Sequence, residues 1–200
     1  MADVGITIDL GCGNNKHPGA VGVDTVKLDA VDIVHDLRDF PYPFQSETVQ
    51  RVILSHVLEH FTIEQIRDIL KEVARILMPR GEVLISVPHA FSIAAFSDPT
   101  HKSFFTYGSF RFFDRDHAKT YYTGFTDTWR ITRLWTSVNL GDDSYGKASS
   151  FQQAIANACS RIMSFTVRRS RSLTLPDLIV KMLPFWLVSI HCLLVKDSSS

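Results

Sequence analysis

Four segments in the first sixty residues end short apolar runs with residue types that suit a nucleoside ligand. Asp9-Leu10-Gly11-Cys12-Gly13 follows the first run, and its glycines let a ligand lie against the main chain with no Cβ in the way. Asp24 ends the second run, where a carboxylate can accept hydrogen bonds from both ribose hydroxyls. Asp36 and Ser55 follow the third and fourth runs. Because ligands of open parallel sheets bind at the carboxyl ends of the strands, we expect these segments to line one cleft.

The segment after the glycines argues against a dinucleotide. A dinucleotide-binding fold needs G-x-G-x-x-G at the start of a full helix, whose N-terminus binds the pyrophosphate. Lys16 stands at the third glycine position, and only residues 14–19, which include Pro18, separate the glycines from the second strand. This segment is too short for such a helix. A ligand with ribose and adenine but no phosphates, such as S-adenosylmethionine, loses little from its absence.

A competing chemistry is present in the segment His56-Val57-Leu58-Glu59-His60. It matches H-x-x-E-H, the inverted zinc-peptidase motif, in which a helix presents two imidazoles to Zn²⁺ and a carboxylate to water. Such peptidases use a downstream glutamate as third ligand, and no glutamate follows Glu82. An aspartate could substitute, so a zinc metallopeptidase stays as an alternative function. We favour a hydrogen-bonded helix start for Glu59 and His60, and we expect no metal site.

The elements that must position these residues are those of an α/β domain with a mainly parallel sheet. Apolar runs predict strands at residues 4–9, 20–23, 33–35, 51–54, 82–87, 129–138 and 188–195. Thr62 and Gln65 have the spacing of a capping box at the start of a helix. Met78-Pro79-Arg80-Gly81 ends that helix, whose buried stripe comprises Ile63, Ile66, Ile69, Leu70, Val73, Ile76 and Leu77.

Composition and charge limit the partners of the chain. It is 45% hydrophobic and 21% charged, as expected for one globular domain. The 21 basic and 21 acidic residues cancel, so we expect no nucleic-acid partner. Residues 1–100 carry 8 basic against 14 acidic residues, a net of −6, and residues 101–200 carry 13 against 7, a net of +6. Four arginines in the second half fit either a peripheral contact with anionic lipid or an acidic partner, or a solvated helix face: Arg161, Arg168, Arg169 and Arg171.

Cysteine usage and the first residues predict a cytoplasmic protein. The three cysteines lie too far apart for a disulfide framework or a C-x-x-C metal clip (Cys12, Cys159 and Cys192). The start, Met-Ala-Asp-Val-Gly, lacks the basic and apolar regions of a signal peptide. Residues 178–195 are the most apolar stretch, but a lysine, a proline and a histidine interrupt them as a membrane span.

Taken in order, the segments resemble the class I S-adenosylmethionine-dependent methyltransferases, and most of all a compact bacterial-type methyltransferase domain with a shortened glycine loop. The resemblance covers roughly residues 4–105, and its pieces are specific only as an ordered set. They are Ile8-Asp9-Leu10-Gly11-Cys12-Gly13, Gly22-Val23-Asp24, His35-Asp36-Leu37, Ser55-His56-Val57-Leu58-Glu59-His60 and Pro79-Arg80-Gly81-Glu82.

The resemblance implies a fold and a division of the chain. The expected fold is a three-layer αβα Rossmann-like sheet with a shortened first helix and a helical insert before the last strand. We predict a methyltransferase core in residues 1–138, with an aromatic lid at about 89–128. The helical insert takes residues 139–187, and the last strand and tail take residues 188–200, all within one structural domain.

The resemblance also implies S-adenosylmethionine as cofactor, bound by Asp9, Gly11, Cys12, Gly13, Asp24, Asp36, Leu37, Ser55 and His56. Asp9 and Gly11 would lie by its methionine part, and Asp24 would hold the ribose. Asp36 and Leu37 would flank the adenine. Ser55 and His56 would close the floor near the sulfonium.

The expected reaction moves a methyl group to a small-molecule acceptor through oxygen or nitrogen, by in-line displacement at the sulfonium carbon. His101, in a loop about ten residues after the fifth strand, is the predicted proton acceptor, with His60 and His89 as alternatives. The aromatic residues of segment 104–125 either wall the substrate or form a satellite core. A cofactor-binding module without turnover remains a further alternative.

Overall fold

The computed structural model describes residues 5–115, 128–139 and 187–197, which form a seven-stranded sheet with helical segments. The strands are β1 Ile6–Leu10, β2 Val21–Asp24, β3 Ile33–Val34, β4 Val49–Ser55, β5 Leu77–Pro88, β6 Trp129–Asn139 and β7 Leu187–Lys196. The helices are α1 Ile63–Ile76, α2 Ala94–Ser97 and α3 Tyr107–Phe110, with 3-10 turns at Leu58–His60 and Arg111–Phe113.

The strands follow the order β3-β2-β1-β4-β5-β7-β6. β1 to β5 run parallel, whereas β7 pairs antiparallel with both β5 and β6. All seven predicted strands are present, and the sheet is the Rossmann-like one expected. Because the parallel strands share one direction, the ends of β1, β2, β4 and β5 lie along one edge, which we call the carboxyl edge.

The helix after β4 is confirmed together with its cap. The side-chain oxygen of Thr62 accepts from the Gln65 N–H at 3.4 Å, and Gln65 Oε1 accepts from the Thr62 N–H at 2.9 Å. The predicted stripe is one residue too long at each end. Ile63 is 43% exposed, and Leu77 is buried but already belongs to β5.

The strand after this helix begins earlier than predicted. β5 follows α1 without a connecting loop, and residues 78–81, predicted to separate helix from strand, lie within it. They form an irregularity, because the pairing passes from Val49 opposite Leu77 to Arg51 opposite Glu82. Arg80 adopts a φ of +65° there. Regular pairing therefore starts at residue 82, where the apolar run predicted the strand.

Short hydrogen-bonded loops replace helices in the first part of the sheet. Within residues 5–57 no helix joins β1, β2, β3 and β4, which confirms that the glycine segment opens no full helix. Asp32 ties two of these loops together, because its Oδ2 accepts from the Gly22 N–H and from Lys16 Nζ, both at 2.7 Å. A single carboxylate thus bridges the start of β2 to the loop before it.

The segment between β3 and β4 is fixed against α1 by a buried ion pair. Glu72 is 9% exposed, and its Oε1 accepts from the Tyr42 N–H and from Arg75 Nη2, both at 2.6 Å. Arg75 also donates to the carbonyls of Tyr42 and Phe44. Burial raises the pKa of Glu72, but the donors from Arg75 and Tyr42 outweigh it, so the net shift is downward.

Part of the predicted domain division falls outside the described residues. The predicted insert, 139–187, is described only at Asn139 and Leu187, which belong to β6 and β7. The four arginines proposed for a lipid or acidic partner also lie outside the described residues. Segment 104–125 contains nine aromatic residues, and three of them lie outside the described residues as well. Of the six described aromatic residues, four are buried (Phe105, Tyr107, Phe110 and Phe113). None of the helices among the described residues is long and apolar enough to cross a membrane.

Candidate functional site

The loop after β1 lies directly on the segment after β4, and Gly11 makes this contact possible. Gly11 has a φ of +72°, and its N–H donates to the Val23 carbonyl at 2.7 Å. A Cβ at this position would lie 2.5 Å from Cγ2 of Val57. Only glycine therefore allows both the turn and the close approach. The ends of β1, β2 and β4 consequently meet at the carboxyl edge, as predicted.

Asp24 is held at the end of β2 with part of its acceptor capacity free. Its Oδ2 accepts from the Gly13 N–H at 2.9 Å, and its Oδ1 accepts from the Val26 N–H at 3.2 Å. Oδ1 also accepts from the Thr25 hydroxyl at 3.5 Å, so of about four lone-pair sites one remains free among the described residues, on Oδ2. Among the described residues, no heavy atom apart from those of Gly13 and its two chain neighbours lies within 4 Å of a Cβ built on Gly13. The loop that donates to Asp24 therefore borders open space on its Gly13 side.

Asp9 lies deeper, at the end of β1. It is 4% exposed, and its Oδ2 accepts from the His17 N–H at 2.7 Å. Burial raises the pKa of Asp9, and the hydrogen bond from His17 partly opposes this. The carboxylate folds the loop after the glycines back over the strand end. The neighbouring Cys12 is also buried, and burial raises the pKa of its thiol.

The pair predicted beside the adenine is divided between surface and core. Asp36 forms an ion pair with Arg38, whose Nη2 lies 2.5 Å from Oδ2. Hydrogen bonds from Arg38 lower the pKa of Asp36 to about 2. Leu37 is 4% exposed and belongs to the core, and its carbonyl accepts from the Tyr42 hydroxyl at 2.9 Å. Asp36 thus has a fixed orientation after β3, whereas the Leu37 side chain packs inside.

Ser55 and His56 end β4 with exposed side chains. His56 adopts a φ of +56°, a strained conformation for a residue other than glycine. Its N–H donates to the Ser86 carbonyl at 2.8 Å, which pins the turn to β5. Its Nδ1 lies 3.3 Å from Oε1 of Glu59. The turn therefore places the His56 imidazole beside Glu59, in the 3-10 turn that follows.

The H-x-x-E-H segment lacks the geometry of a zinc peptidase. Leu58–His60 is a 3-10 turn of three residues, and His56 precedes it in the left-handed conformation, so no α-helix presents both imidazoles on one face. The expected hydrogen-bonded helix start is wrong for the Glu59 side chain. Glu59 is 1% exposed, and neither carboxylate oxygen has a hydrogen-bond partner among the described residues, since the His56 contact lacks hydrogen-bond geometry.

Glu59 instead groups with His60 and His101. One carboxylate oxygen and one nitrogen of each ring lie within 4.8 Å of one another, and the ring centroids are 4.8 Å apart. The loop that carries His101 is attached by main-chain bonds from Lys102 and Ser103 to the Glu59 carbonyl, at 2.7 and 3.0 Å. Sequence spacing does not predict this group, because forty residues separate its parts. His89, the other predicted proton acceptor, is fully buried.

A half-buried histidine near the carboxyl edge was not singled out from the sequence. His191 on β7 lies opposite Ser86 on β5, with Nδ1 2.7 Å from Ser86 Oγ and Nε2 2.6 Å from Ser137 Oγ. Burial, with a smaller contribution from His56, lowers the pKa of His191 to about 4. The residue was predicted only as part of an apolar strand, because strand periodicity carries no signal for such a contact.

An apolar groove of about 450 Å³ lies beside the His101 loop. Its walls come from the start of α1 and from residues 103–113, and include the partly exposed rings of Phe104 and Phe112. Ser103, two residues after His101, also lines it and donates to the Phe61 carbonyl at 2.6 Å. The aromatic segment therefore contributes both to the core and to an open surface.

Comparisons with known proteins agree with this geometry. Residues 8–85 match a family described as a methyltransferase domain. A SAM-dependent methyltransferase from Archaeoglobus fulgidus superposes with a TM-score of 0.56 at 14% identity, covering 98% of this chain and 87% of that one. The YcgJ protein from Bacillus subtilis gives 0.55 at 13% identity, covering 99% and 94%. A putative sarcosine dimethylglycine methyltransferase from Galdieria sulphuraria gives 0.53 at 12% identity, covering 97% and 79%. At such identities the likeness shows the fold. No curated protein matches the sequence.

Proposed function

We propose that this chain, which carries a class I S-adenosylmethionine-dependent methyltransferase domain, methylates a small molecule on oxygen or nitrogen. The family match and the strand order make it an enzyme of methyl transfer with S-adenosylmethionine as cofactor. A role as a binding module without turnover, or as a zinc peptidase, is accordingly set aside. The acceptor and the residues that hold the two substrates are the proposal.

The convergence of Gly11, Gly13 and Asp24 at the carboxyl edge carries the proposal. Asp24 Oδ2 keeps a free acceptor site beside the Gly13 N–H, and the described residues leave the space around a Gly13 side chain open, which suits a ribose. The buried carboxylate of Asp9 suits the positively charged methionine end of the cofactor. We assign the remaining cofactor contacts to Cys12, Asp36, Ser55 and His56, as the sequence predicts. Because the Leu37 side chain packs in the core, we assign only its main chain to the adenine.

Methyl transfer depends mainly on how the acceptor is positioned relative to the methyl carbon of the cofactor. The acceptor lone pair forms a bond to the methyl carbon while the carbon–sulfur bond breaks, and S-adenosylhomocysteine leaves. We propose that His60 and His101 contact the acceptor, because each ring has one nitrogen in a hydrogen bond at 2.8–2.9 Å and its other nitrogen available. These nitrogens can orient an O–H or N–H group of the acceptor.

The groove beside Phe104 and Phe112 supports a small acceptor with an apolar part. Its volume of about 450 Å³ falls within the usual range of small-molecule sites, roughly 300–1,000 Å³. The similar protein from Galdieria sulphuraria is named a putative sarcosine dimethylglycine methyltransferase, and sarcosine and dimethylglycine are both small amines. We propose the same size class here and leave the chemical identity to experiment.

Calorimetric titration with S-adenosylhomocysteine tests the cofactor site. We expect wild type to bind one equivalent and Asp24→Ala to bind at least about tenfold more weakly, because a hydrogen bond to a charged group contributes about 1.5–3 kcal/mol. Glu82→Ala is the matched control, since Glu82 pairs with Arg51 on the exposed surface at the other end of β5. Failure of wild type to bind, or equal binding by Asp24→Ala, contradicts the proposal.

Mass spectrometry tests the acceptor class. Cell extract is fractionated by size and incubated with the protein and methyl-labelled S-adenosylmethionine. We expect label in a small-molecule fraction. Label that appears only in protein or nucleic acid contradicts the small-molecule acceptor.

A further inference from the structure

The buried carboxylate of Glu59 needs a positive partner that the hydrogen bonds of the structure do not supply. Its side chain is 1% exposed, and both of its oxygens lack a hydrogen-bond partner among the described residues. Burial of an ionised carboxylate without compensation costs several kcal/mol. Either a proton or a positively charged group must therefore neutralise these oxygens when the protein is folded.

Two imidazoles face the same space with defined tautomers. The Thr100 hydroxyl donates to Asp98 Oδ1 at 2.7 Å, so its oxygen must accept from Nδ1–H of His60, 2.9 Å away. The Ala95 carbonyl can only accept, so His101 Nδ1–H donates to it at 2.8 Å. In the neutral form of each ring, Nε2 is therefore the nitrogen without a proton and can bind a metal ion.

These outer hydrogen bonds are the kind that orient metal-binding histidines. A ligating histidine almost always donates its second N–H to a carboxylate, a carbonyl or a similar acceptor, which fixes the ring and its tautomer. The His101 loop is also held in place, because Lys102 and Ser103 donate to the Glu59 carbonyl. The three groups thus meet on a framework of main-chain and side-chain hydrogen bonds.

We propose that Glu59, His60 and His101 bind one divalent first-row transition-metal ion. Two imidazole nitrogens and one carboxylate oxygen favour Zn²⁺, Fe²⁺, Co²⁺ or Mn²⁺ over Mg²⁺ and Ca²⁺, and such a set leaves further coordination positions open. One carboxylate oxygen of Glu59 and one ring nitrogen of each histidine lie within 4.8 Å of one another. Neutralisation of Glu59 by a protonated imidazole, such as that of His56 at 3.3 Å, is the competing explanation.

The proposed metal site also restricts the chemical class of the methyl acceptor, and this inference rests on the proposed function. The three ligands include the two histidines assigned to the acceptor. An ion held there would bind an acceptor oxygen in an open position and favour loss of its proton to water, so neither imidazole would have to accept that proton. The acceptor atom would then be oxygen rather than nitrogen.

Metal titration without cofactor or acceptor tests the site. The full chain is freed of metal with a chelator and titrated with Mn²⁺, Co²⁺ and Zn²⁺ by calorimetry, with Mn²⁺ paramagnetic resonance and Co²⁺ absorption as spectroscopic readouts. We expect one equivalent to bind wild type, and both Glu59→Gln and His101→Ala to lose more than about 100-fold in affinity. Thr100→Val, which removes the acceptor for His60 Nδ1–H, should lose about tenfold. Glu64→Gln, in the exposed first turn of α1, is the control and keeps wild-type affinity.

S-adenosylhomocysteine titration of the same variants separates misfolding from loss of the site. Glu59→Gln and His101→Ala should bind S-adenosylhomocysteine as wild type does. No stoichiometric binding of any of the three ions by wild type overturns the proposal, as does unchanged metal affinity in both variants. A wild type that binds metal but not S-adenosylhomocysteine leaves the metal site standing and contradicts the proposed cofactor site.

Discussion

The imidazole of His191 should make the free energy of unfolding depend on pH. Its imidazole lies between the hydroxyls of Ser86 and Ser137 and stacks on Trp135, with ring centroids 5.2 Å apart. A neutral imidazole has one donor and one acceptor, and each hydroxyl can take the complementary role. Protonation would place a charge where little water reaches it. Burial therefore lowers the pKa of His191 from 6.5 to about 4.

Stability should fall as the pH drops through this window. Between pH 6.5 and about 4 the unfolded chain binds a proton at His191 and the folded protein does not. The free energy of unfolding should therefore fall by roughly 2–3 kcal/mol between pH 7 and pH 4.5 from this residue alone. Urea unfolding of wild type and His191→Asn at pH 7 and pH 4.5 measures this loss. The difference in unfolding free energy between the two proteins should be smaller at pH 4.5 than at pH 7. Ser137→Ala keeps the imidazole and should keep the slope, and parallel curves for His191→Asn would contradict the assignment.

Individual residues could be predicted from the sequence only where local geometry determines their role. Asp24 and Gly11 were predictable because each ends a strand, and the ends of parallel strands share one edge. Glu59 was assigned to a helix start, since nothing nearby in sequence shows that His101 returns to it. His191 was hidden in an apolar strand for the same reason: long-range contacts decide both.

At the scale of elements, the loop after β1 depends on two glycines with different tasks. Gly11 and Gly13 both have positive φ, at 72° and 51°. A Cβ on Gly11 would strike Val57, whereas a Cβ on Gly13 would meet no atom within 4 Å. The first glycine is needed for packing and backbone conformation together, and the second for conformation alone.

Alanine substitutions should separate these two requirements. Gly13→Ala should cost about 1–2 kcal/mol of unfolding free energy from backbone strain, and Gly11→Ala should cost about 1–3 kcal/mol more from overpacking. Val57→Ala should offset part of the cost of Gly11→Ala, because it removes the atoms that clash. Denaturant unfolding of the single and double variants measures this coupling. Equal costs for the two glycines, or additive costs for Gly11 and Val57, would contradict the contact.

Most helices and strands could be predicted from the periodicity of apolar residues, but their exact ends could not. The stripe of α1 and the seven apolar runs were predictable because burial on one face imposes a repeat. The direct passage from α1 into β5 was not, because Met78-Pro79-Arg80-Gly81 contains the residues of an ordinary chain break. Pairing with β4 keeps these residues in the strand despite their local preference.

At the scale of the molecule, the strands to which we assign the cofactor are joined by loops rather than helices within residues 5–57. β1, β2 and β3 are joined by loops that depend on Asp9, Asp24 and Asp32 for their hydrogen bonds. α1, by contrast, packs with a continuous apolar face. A ligand that contacts these loops should therefore order them and stabilise the whole sheet.

S-adenosylhomocysteine, the product that the cofactor becomes, should raise the melting temperature of the protein. At 100 times its dissociation constant, S-adenosylhomocysteine adds about 2.7 kcal/mol, which corresponds to roughly 5–10 °C for a chain of this size. Thermal melts measure the shift, and hydrogen exchange should show new protection in residues 11–19 and 24–39 rather than in α1. Asp24→Ala at the same ligand concentration should show a clearly smaller shift. An unchanged melting temperature in wild type, or protection centred on α1, would contradict the assignment.

The position of β7 between β5 and β6 matters for synthesis on the ribosome. β6 pairs with β7 and not with β5, yet residues 140–186 are translated between β6 and β7. Until residues 187–196 emerge, the open edge of β5 and the whole of β6 lack their partner, which is the situation that exposes a nascent chain to aggregation and to chaperones. The sheet is therefore completed only after residues 187–196 have been translated, which is later than the loops to which we assign the cofactor.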